Sequence, residues 1–420
     1  MSRAVPAHLA RELAAAFDFL DSAWSRAALA EAFADVVEPD RAEELARRVT
    51  DLMPGEPLDP IVTLARVLAD LPKLPTVVVS LDPIEIPPAP LRFGAVPIPD
   101  RAALAALLNL TPSELEWFAD HGAWLRRAAP PLTHYRYRRL PKAHGVRLVE
   151  APKVRLREIQ RRILHRVLAG IPAHPACHGF EKGRSAATFA APHAGAHTVL
   201  RVDLRDFFNT ITVPRVRAIF TACGYPPPIA QILADLCTTA TPVAELRGLD
   251  FAQRNLLRAR HLPQGAPTSP RLANLVAHGL DRRLTAYAAT RGLEYTRYAD
   301  DLAFSGPTLD PARTLWTATT IAESEGFAIN PAKTRTRRPH QRQTLAGLVV
   351  NTHPAAPRDA YDNLRALLHN CLRTGPAAQN HQRHPNFRAH VYGRISWIGE
   401  TSPTRRTKLL ALADKIDWTQ

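Results

Sequence analysis

Two adjacent aspartates, Asp300 and Asp301, lie between two short runs of alternating apolar residues in the stretch YTRYADDLAFSG (295–306). The alternation predicts two strands, and the aspartates would then lie at the tip of the hairpin that joins them. Neighbouring carboxylates repel each other, so a fold keeps them close either with a cation or in water. The stretch alone therefore leaves two interpretations open, a solvated turn or half of a metal site.

Another aspartate lies at the end of an apolar strand earlier in the chain. Asp203 ends the run VLRVD, and Asp206 follows it one turn later. Strand-end and hairpin-tip carboxylates can together hold the two metal ions of a phosphoryl-transfer site. Mg²⁺, for which Mn²⁺ is a possible substitute, favours oxygen ligands and fills its shell with waters and substrate phosphates. Each aspartate alone also has an ordinary structural interpretation.

Four further motifs occur in a fixed order around these aspartates. HLPQGAPTSPRLAN (261–274) joins a Pro-Gln-Gly turn to the start of a helix, and GFAINPAKTR (326–335) brings Lys333 after the hairpin. TLAGLVVN (344–351) predicts a short apolar hairpin. Upstream, HYRYRRLPKAHGVRLVEAPK (134–153), which includes GVRLVEAPK, predicts a basic strand pair around the turn KAHG (142–145). The combination favours the metal site over the solvated turn.

The charge is distributed unevenly along the chain. The formal net charge is +15, but residues 1–100 hold 9 Lys/Arg and 16 Asp/Glu, which leaves 45 and 23 in the remainder. The first part is therefore net −7 and the rest net +22, and a body this basic is expected to attract a polyanion. The four cysteines are scattered, which argues against a disulfide framework and a cysteine zinc site. We expect a cytoplasmic protein without a membrane segment.

Periodicity predicts an N-terminal module and a separate α+β body. Residues 1–80 are expected to form an acidic helical module with helices over 7–18, 25–36, 40–52 and 60–71. The proline-dense stretch 81–100 is expected to be an extended linker. Beyond it, strands and helices interleave without regular βαβ alternation, so we expect an α+β fold. Residues 154–168 and 269–292 predict one long helix each, and TPSELEWF (111–118) predicts a capped helix start.

The order of these motifs resembles the palm and fingers of a reverse transcriptase, and YADD is the form of the active-site hairpin common in bacterial members. LPQGAPTSPRLAN resembles the retron-type enzymes in particular, and the resemblance covers roughly residues 101–420. It implies a right-hand polymerase, with fingers and palm over 101–340 and the palm end and helical thumb over 341–420. Two retron marks depart from the pattern: FAAPH (189–193) lacks the usual Asn, and LAG (345–347) replaces Val-Thr-Gly. The family ties both marks to recognition of its own RNA.

The resemblance also implies residue roles at the chemical centre. Asp203, Asp300 and Asp301 resemble the three metal-site carboxylates, with Leu204 beside them in the metal set. Asp301 has the alternative of a neighbour that does not ligate. Lys333 resembles a lysine that protonates the leaving pyrophosphate, and it could instead be a solvated loop lysine.

The implied dNTP site draws on the fingers, the first catalytic strand and the Pro-Gln-Gly turn. Phe208 resembles the bulky gate that excludes a ribose 2′-OH, with a plain core phenylalanine as the alternative. Arg147 and Lys153 would bind phosphates, although either could touch the template backbone instead. The full dNTP set is Arg147, Lys153, Asp206, Phe207, Phe208, Gln264 and Gly265.

Basic residues of one helix and of the C-terminal region are expected to contact nucleic-acid phosphates, with a solvated basic face as the alternative for some of them. Tyr298 would lie beneath the primer end. The full nucleic-acid set is Arg161, Arg162, Arg166, Tyr298, Arg394, Arg405, Arg406 and Lys408.

The first hypothesis for function is an RNA-directed DNA polymerase that copies a structured non-coding RNA into cDNA. The retron resemblance implies priming from a 2′-OH, a branched RNA–cDNA hybrid and a role in anti-phage defence. An effector protein could dock on the N-terminal module. Two alternatives stay open: a defence polymerase that makes untemplated or protein-primed DNA, and a catalytically idle RNA-binding scaffold.

Overall fold

The computed structural model describes residues 5–19, 24–57, 60–71, 90–141 and 146–418. The chain divides into two compact units, Met1–Ile86 and Pro87–Gln420. Most of the expected linker, residues 81–89, and the turn expected at 142–145 lie outside the described residues. Residues 90–100 contain no helix or strand.

The N-terminal unit consists of helices in its described part. They are α1 (Ala7–Phe19), α2 (Arg26–Ala34), α3 (Pro39–Leu52) and α4 (Pro60–Asp70), which confirms the four predicted helices to within one or two residues. Amphipathic spacing explains them: α3 buries Ala42, Leu45, Ala46 and Val49, which recur on one helical face. These side chains join a core shared by all four helices.

The larger unit begins with helices and a strand pair. The predicted capped helix is present, with Thr111 and Glu114 forming a reciprocal capping box. Strands β1 (Tyr135–Pro141) and β2 (Val146–Pro152) pair antiparallel, as predicted. The other early elements are α5 (Arg101–Leu108), α6 (Pro112–Ala119), α7 (Val154–Ile163) and α8 (Ala186–Ala190). A π-helical turn over Leu164–Leu168 continues α7.

A five-stranded antiparallel sheet forms the centre of this unit. Its strands are β3 (Val199–Arg205), β4 (Glu294–Tyr298), β5 (Asp301–Ser305), β6 (Ala328–Ile329) and β7 (Arg335–Arg337), in the order β4-β5-β3-β6, with β7 also paired to β3. A small hairpin of β8 (Thr344–Leu345) and β9 (Leu348–Val349) confirms the one expected over 344–351.

Helices cover one face of the sheet and complete the unit. Leu200, Val202 and Leu204 of β3 pack in the same core as Leu280 and Ile321, from two of these helices. The helices are α9 (Val213–Ala222), α10 (Pro227–Cys237), α11 (Phe251–Arg258), α12 (Ser269–Val276), α13 (His278–Thr290), α14 (Pro311–Ser324), α15 (Arg358–Thr374), α16 (Pro376–Gln379), α17 (Phe387–Thr401) and α18 (Pro403–Ala413). The antiparallel sheet with helices packed on it confirms the expected α+β class.

The single long helix predicted over residues 269–292 is wrong. Two helices, α12 and α13, occupy this stretch, and Ala277 between them has a ψ of 3°, outside the α-helical range. Gly279 lies two residues further on, and a Cβ there would lie 2.5 Å from a carboxylate oxygen of Glu325. The close approach of this side chain accompanies the break, which apolar periodicity alone did not signal.

Among the helices of the described ranges, none combines the length and the apolar character that crossing a bilayer requires.

Candidate active site

The hairpin between β4 and β5 has a two-residue turn, Ala299–Asp300, because Tyr298 pairs directly with Asp301. Ala299 has a φ of +55°, a left-handed conformation that costs a residue with a Cβ about 1–2 kcal/mol. The loop before α8 packs closely on this turn: a Cβ on Gly179 would lie 2.6 Å from the Ala299 nitrogen. The aspartate pair is thus on a strained turn that neighbouring backbone holds in place.

A fully buried ion pair lies under this turn. Arg297 donates from Nε to Asp281 Oδ1 and from Nη2 to Asp281 Oδ2, both at 2.7 Å, and both side chains are 0% exposed. The Tyr295 hydroxyl donates to the same carboxylate at 2.8 Å. Arg297 Nη1 also donates to Asn274 Oδ1 and to the Ala299 carbonyl, each at 3.1 Å. Arg297 therefore connects helices α12 and α13 to the turn that carries Asp300.

Asp203 and Asp300 lie on neighbouring backbone. The Leu204 N–H donates to the Asp300 carbonyl at 2.8 Å, and Asp203 is 2% exposed. Asp203 accepts from Asn330 Nδ2 at 3.1 Å and from Lys333 Nζ at 3.0 Å. Burial raises the pKa of Asp300, and the nearby charge of Asp203 raises it further. A buried carboxylate and a half-buried one that repel each other, with one lysine beside them, form a site suited to cations.

Asp301 is bound differently from its neighbour. It pairs with Asp203 across the strands, but its carboxylate accepts from Arg201 Nε at 2.9 Å and from Arg201 Nη2 at 2.7 and 2.8 Å. Burial raises the pKa of Asp301 to about 6 although the Arg201 charge opposes the rise. The role of Asp301 as a direct metal ligand stays a prediction, and these contacts favour the alternative of a carboxylate that does not ligate.

The donor set fits Mg²⁺ through two carboxylates. Within the described ranges, no group of three His, Cys, Asp or Glu side chains converges as a metal cluster. Mg²⁺ usually needs only one or two carboxylates, because waters and substrate phosphates supply its other ligands. Asp203 and Asp300 meet that requirement. The Leu204 side chain is buried in the core, so this residue could reach a metal only through its backbone carbonyl.

A cleft beside these aspartates brings together three residues of the expected nucleotide set. Arg147, Asp206 and Gln264 line it, together with Asn209 and Gln253. Arg147 is also close enough to Asp300 for its charge to oppose the rise in the pKa of that carboxyl.

The turn at Gln264 and Gly265 closes on strand β2. The Glu150 N–H donates to the Gln264 carbonyl at 2.9 Å. Gly265 has a φ of +136°, and a Cβ there would lie 3.1 Å from the Glu150 carbonyl. A glycine is therefore required both by the conformation and by the close backbone approach.

Lys153 is not brought into this cleft. Its ammonium donates to the carbonyls of Pro130 and Pro131 at 2.8 and 3.0 Å. Its side chain is held by backbone oxygens of the preceding loop, and its place in the nucleotide set stays a prediction.

Aromatic rings cluster near the β4–β5 hairpin. Phe207 is buried against Phe327, whereas Phe208 is half-buried, with its ring 5.6 Å from that of Phe207. Phe180 is 52% exposed, and its ring lies 6.5 Å from Phe208 and 6.3 Å from Tyr298. Sequence reasoning missed Phe180, which lies between the expected gate and the hairpin.

The expected nucleic-acid residues differ in their exposure and in whether their side chains are already bonded within the fold. Arg161, Arg166, Arg406 and Lys408 are exposed, and Arg394 is half-buried. Two others use their guanidinium groups within the fold. Arg162 donates to the Leu108 carbonyl, while Arg405 donates to the Ala356 carbonyl at 3.2 Å and lies over the Tyr361 ring.

His193, the last residue of FAAPH, is fully buried. Its ring nitrogens are 2.7 Å from Ser305 Oγ and 2.8 Å from Thr296 Oγ1, on strands β5 and β4. Burial lowers the pKa of His193 to about 3, so the ring is neutral near pH 7. This histidine thus connects strands β4 and β5 of the hairpin, and the expected link of FAAPH to RNA recognition stays a prediction.

Comparison with known proteins gives consistent matches. Residues 140–350 match the family described as reverse transcriptase (RNA-dependent DNA polymerase). The retron Mx65 reverse transcriptase of Myxococcus xanthus is 39% identical over 331 residues, covering 76% of this chain and 72% of that protein. The retron Mx162 enzyme of the same organism is 37% identical over 347 residues, with 78% and 69% covered. The retron Ec86 enzyme of Escherichia coli is 32% identical over 276 residues, with 65% and 77% covered.

The buried ion pair predicts a strong dependence of stability on its two partners. Arg297→Met leaves the Asp281 carboxylate buried without its counter-charge, and we expect the free energy of unfolding to fall by about 3–5 kcal/mol. Adding Asp281→Leu removes that stranded charge and is expected to recover much of the loss. Urea titration followed by circular dichroism measures both. Equal losses in the single and double variants would contradict an ion-pair origin.

The buried neutral histidine predicts sensitivity to acid. Below pH 6.5 the unfolded chain binds a proton at His193 that the folded protein does not bind until about pH 3, so stability falls as the pH falls. Between pH 7 and pH 5 this group contributes a loss of about 2 kcal/mol. We expect the free energy of unfolding of His193→Asn to fall between pH 7 and pH 5 by about 2 kcal/mol less than that of the wild type. The same change at exposed His353 is the control and should leave the wild-type dependence on pH. An unchanged slope in His193→Asn would refute this.

Proposed function

Because the chain belongs to the retron-type reverse transcriptases, which are RNA-directed DNA polymerases, we propose that it copies a structured partner RNA into DNA at a two-metal site formed by Asp203 and Asp300. The observation that carries the proposal is the closeness of these two carboxylates, whose backbone segments are joined by the Leu204–Asp300 hydrogen bond. The retron-type match over most of the chain supports RNA as the template.

Asp203 and Asp300 would hold Mg²⁺ through their carboxylate oxygens. When bound, the ions lower the pKa of the attacking hydroxyl and stabilise the leaving oxygen of the α-phosphate. Asp301 holds Arg201 in place and adds negative charge beside the two ligands. This division of labour gives the adjacent aspartates different tasks.

Lys333 and Arg147 would act on the phosphates of the incoming nucleotide. The Lys333 ammonium lies 3.0 Å from Asp203 and its side chain is 54% exposed, so a substrate phosphate can reach it. From there it can donate a proton to the leaving pyrophosphate. Arg147 lines the neighbouring cleft, where its planar guanidinium suits bidentate binding of phosphate.

The partner RNA and the wider role are further parts of the proposal. Priming from a 2′-OH of a structured non-coding RNA would give a branched RNA–cDNA hybrid, as the retron match suggests, in a system of anti-phage defence. The +22 charge of residues 101–420 supports a polyanionic partner. We assign 101–340 to fingers and palm and 341–420 to the palm end and thumb. The acidic N-terminal unit would dock an effector protein.

Neutralising one ligand tests the site. Asp300→Asn removes a metal-binding charge worth several kcal/mol, so we expect dNTP incorporation to fall by about 10³-fold or more. The nucleic acid that co-purifies should change from a branched RNA–DNA hybrid to RNA alone, as sequencing would measure. Glu323→Gln, on the exposed face of α14, is the matched control and should leave both unchanged. Retained synthesis would refute the site, and linear or peptide-linked DNA in the wild type would refute 2′-OH priming.

The gate role of Phe208 predicts a change in sugar selection. Phe208→Val replaces a half-buried ring with a smaller side chain and so makes room for a ribose 2′-OH. We expect rNTP incorporation relative to dNTP incorporation to rise by at least about tenfold, the size of effect that a change in the shape of a pocket produces. Single-turnover incorporation of each nucleotide measures the ratio. Phe251→Val, at an exposed phenylalanine on α11, is the control. A protein that is merely less stable, with unchanged selectivity, would identify Phe208 as a core residue instead.

A further inference from the structure

A cleft rich in arginine lies on the face of the central sheet that carries Asp203. Four arginines line it together with Val199 and Thr344: Arg201, Arg335, Arg337 and Arg342. None of the four belongs to the residues assigned above to nucleotide or nucleic-acid binding. The cleft also shares no lining residue with the nucleotide cleft at Arg147 and Gln264.

Strand register places three of these arginines on one surface. In the antiparallel pair of β3 and β7, Arg201 is directly opposite Arg335, and Val199 is directly opposite Arg337. Directly opposed residues point to the same face of a sheet, and so do residues two apart on one strand. Arg201 and Asp203 therefore share this face, and Arg335 and Arg337 extend it in steps of about 6.6 Å.

The positive charge of this surface is only partly compensated. Arg201 is paired with Asp301, and Arg342 lies 3.6 Å from the exposed carboxylate of Asp359. Arg335 and Arg337 lie on an exposed strand, and within the described ranges neither forms a salt bridge with a carboxylate. Like charges held this close repel one another, and a polyanion would relieve that repulsion.

The position of the cleft indicates which strand fits it. A nucleic-acid strand that presents its terminal hydroxyl at Asp203 and Asp300 has to continue across the same face of the sheet. Arg201 lies two residues from Asp203 along β3, so the arginine surface starts next to that end. The floor is apolar, since Val199 packs against Leu345 and Leu348 of the β8–β9 hairpin.

We propose that Arg335 and Arg337, with Arg201 and Arg342 at the borders, bind backbone phosphates of the strand that supplies the attacking hydroxyl. Guanidinium groups suit this ligand because their planar fork matches two phosphate oxygens. The inference rests on the proposed function, because Asp203 and Asp300 define where the strand ends.

The test measures binding in a background without synthesis. Arg335→Gln with Arg337→Gln is introduced into the Asp300→Asn protein, and a labelled DNA primer annealed to RNA template is titrated by fluorescence anisotropy between 50 and 200 mM salt. Losing two phosphate contacts should weaken binding at least about tenfold. It should also reduce the slope of log K against log salt concentration by about 2. Arg291→Gln with Arg313→Gln, exposed positions on the helical side, removes the same charge and should change neither. An equal effect in both pairs would overturn the proposal.

Replacing charged phosphates with neutral linkages, in one strand at a time, identifies the strand that the arginines bind. Methylphosphonates near the 3′ end of the primer should weaken binding to the Asp300→Asn parent and have no further effect on the arginine variant. Methylphosphonates in the template should weaken both equally. The reverse pattern would overturn the proposal, as would an arginine variant that changes only the KM for dNTP in the Asp300-containing protein. Because binding is measured without chemistry, retained synthesis by Asp300→Asn would refute the proposed function separately.

Discussion

The buried ion pair of Arg297 and Asp281 is the interaction on which the active-site geometry depends. Arg297 is part of the hairpin that carries Asp300, yet its charge is satisfied by helices α12 and α13 and by the Ala299 carbonyl in the turn. A charge removed from water is tolerable only when its counter-charge and hydrogen-bond partners are in place. The pair therefore fixes the position of Asp300 relative to the core and offsets the strain at Ala299.

Side chains of strand β3 alternate between the two faces of the sheet, so one face packs into the core and the other carries Asp203. Leu200, Val202 and Leu204 enter the core, while Val199, Arg201 and Asp203 lie on the other face. The same face then holds the proposed metal ligand Asp203 at one end and the arginine cleft at the other. The proposed sites of strand binding and catalysis thus lie on one face of β3, and the opposite face packs into the hydrophobic core.

The sequence predicted the elements that depend on local patterns. The N-terminal helices, the capped helix at Thr111 and the catalytic hairpin follow from periodicity and capping chemistry, and the structure contains all of them. Contacts between distant segments were not predictable in this way. The pairing of Arg201 with Asp301 and the attachment of Lys153 to a proline loop depend on how segments meet. One available signal was overlooked: Arg297 and Asp281 occur at positions where the pattern demands apolar residues.

The link between α13 and the hairpin also constrains the order of events during folding. Asp281 is synthesised before Arg297, and the arginine cannot be buried until the helix that carries its counter-charge has packed. Packing of α13 and burial of Arg297 are consequently coupled, and the turn at Ala299 gains its hydrogen bond from Arg297 only when both are complete. A partly folded chain would lack the aligned pair of aspartates, so the capacity for catalysis arises only together with the completed core.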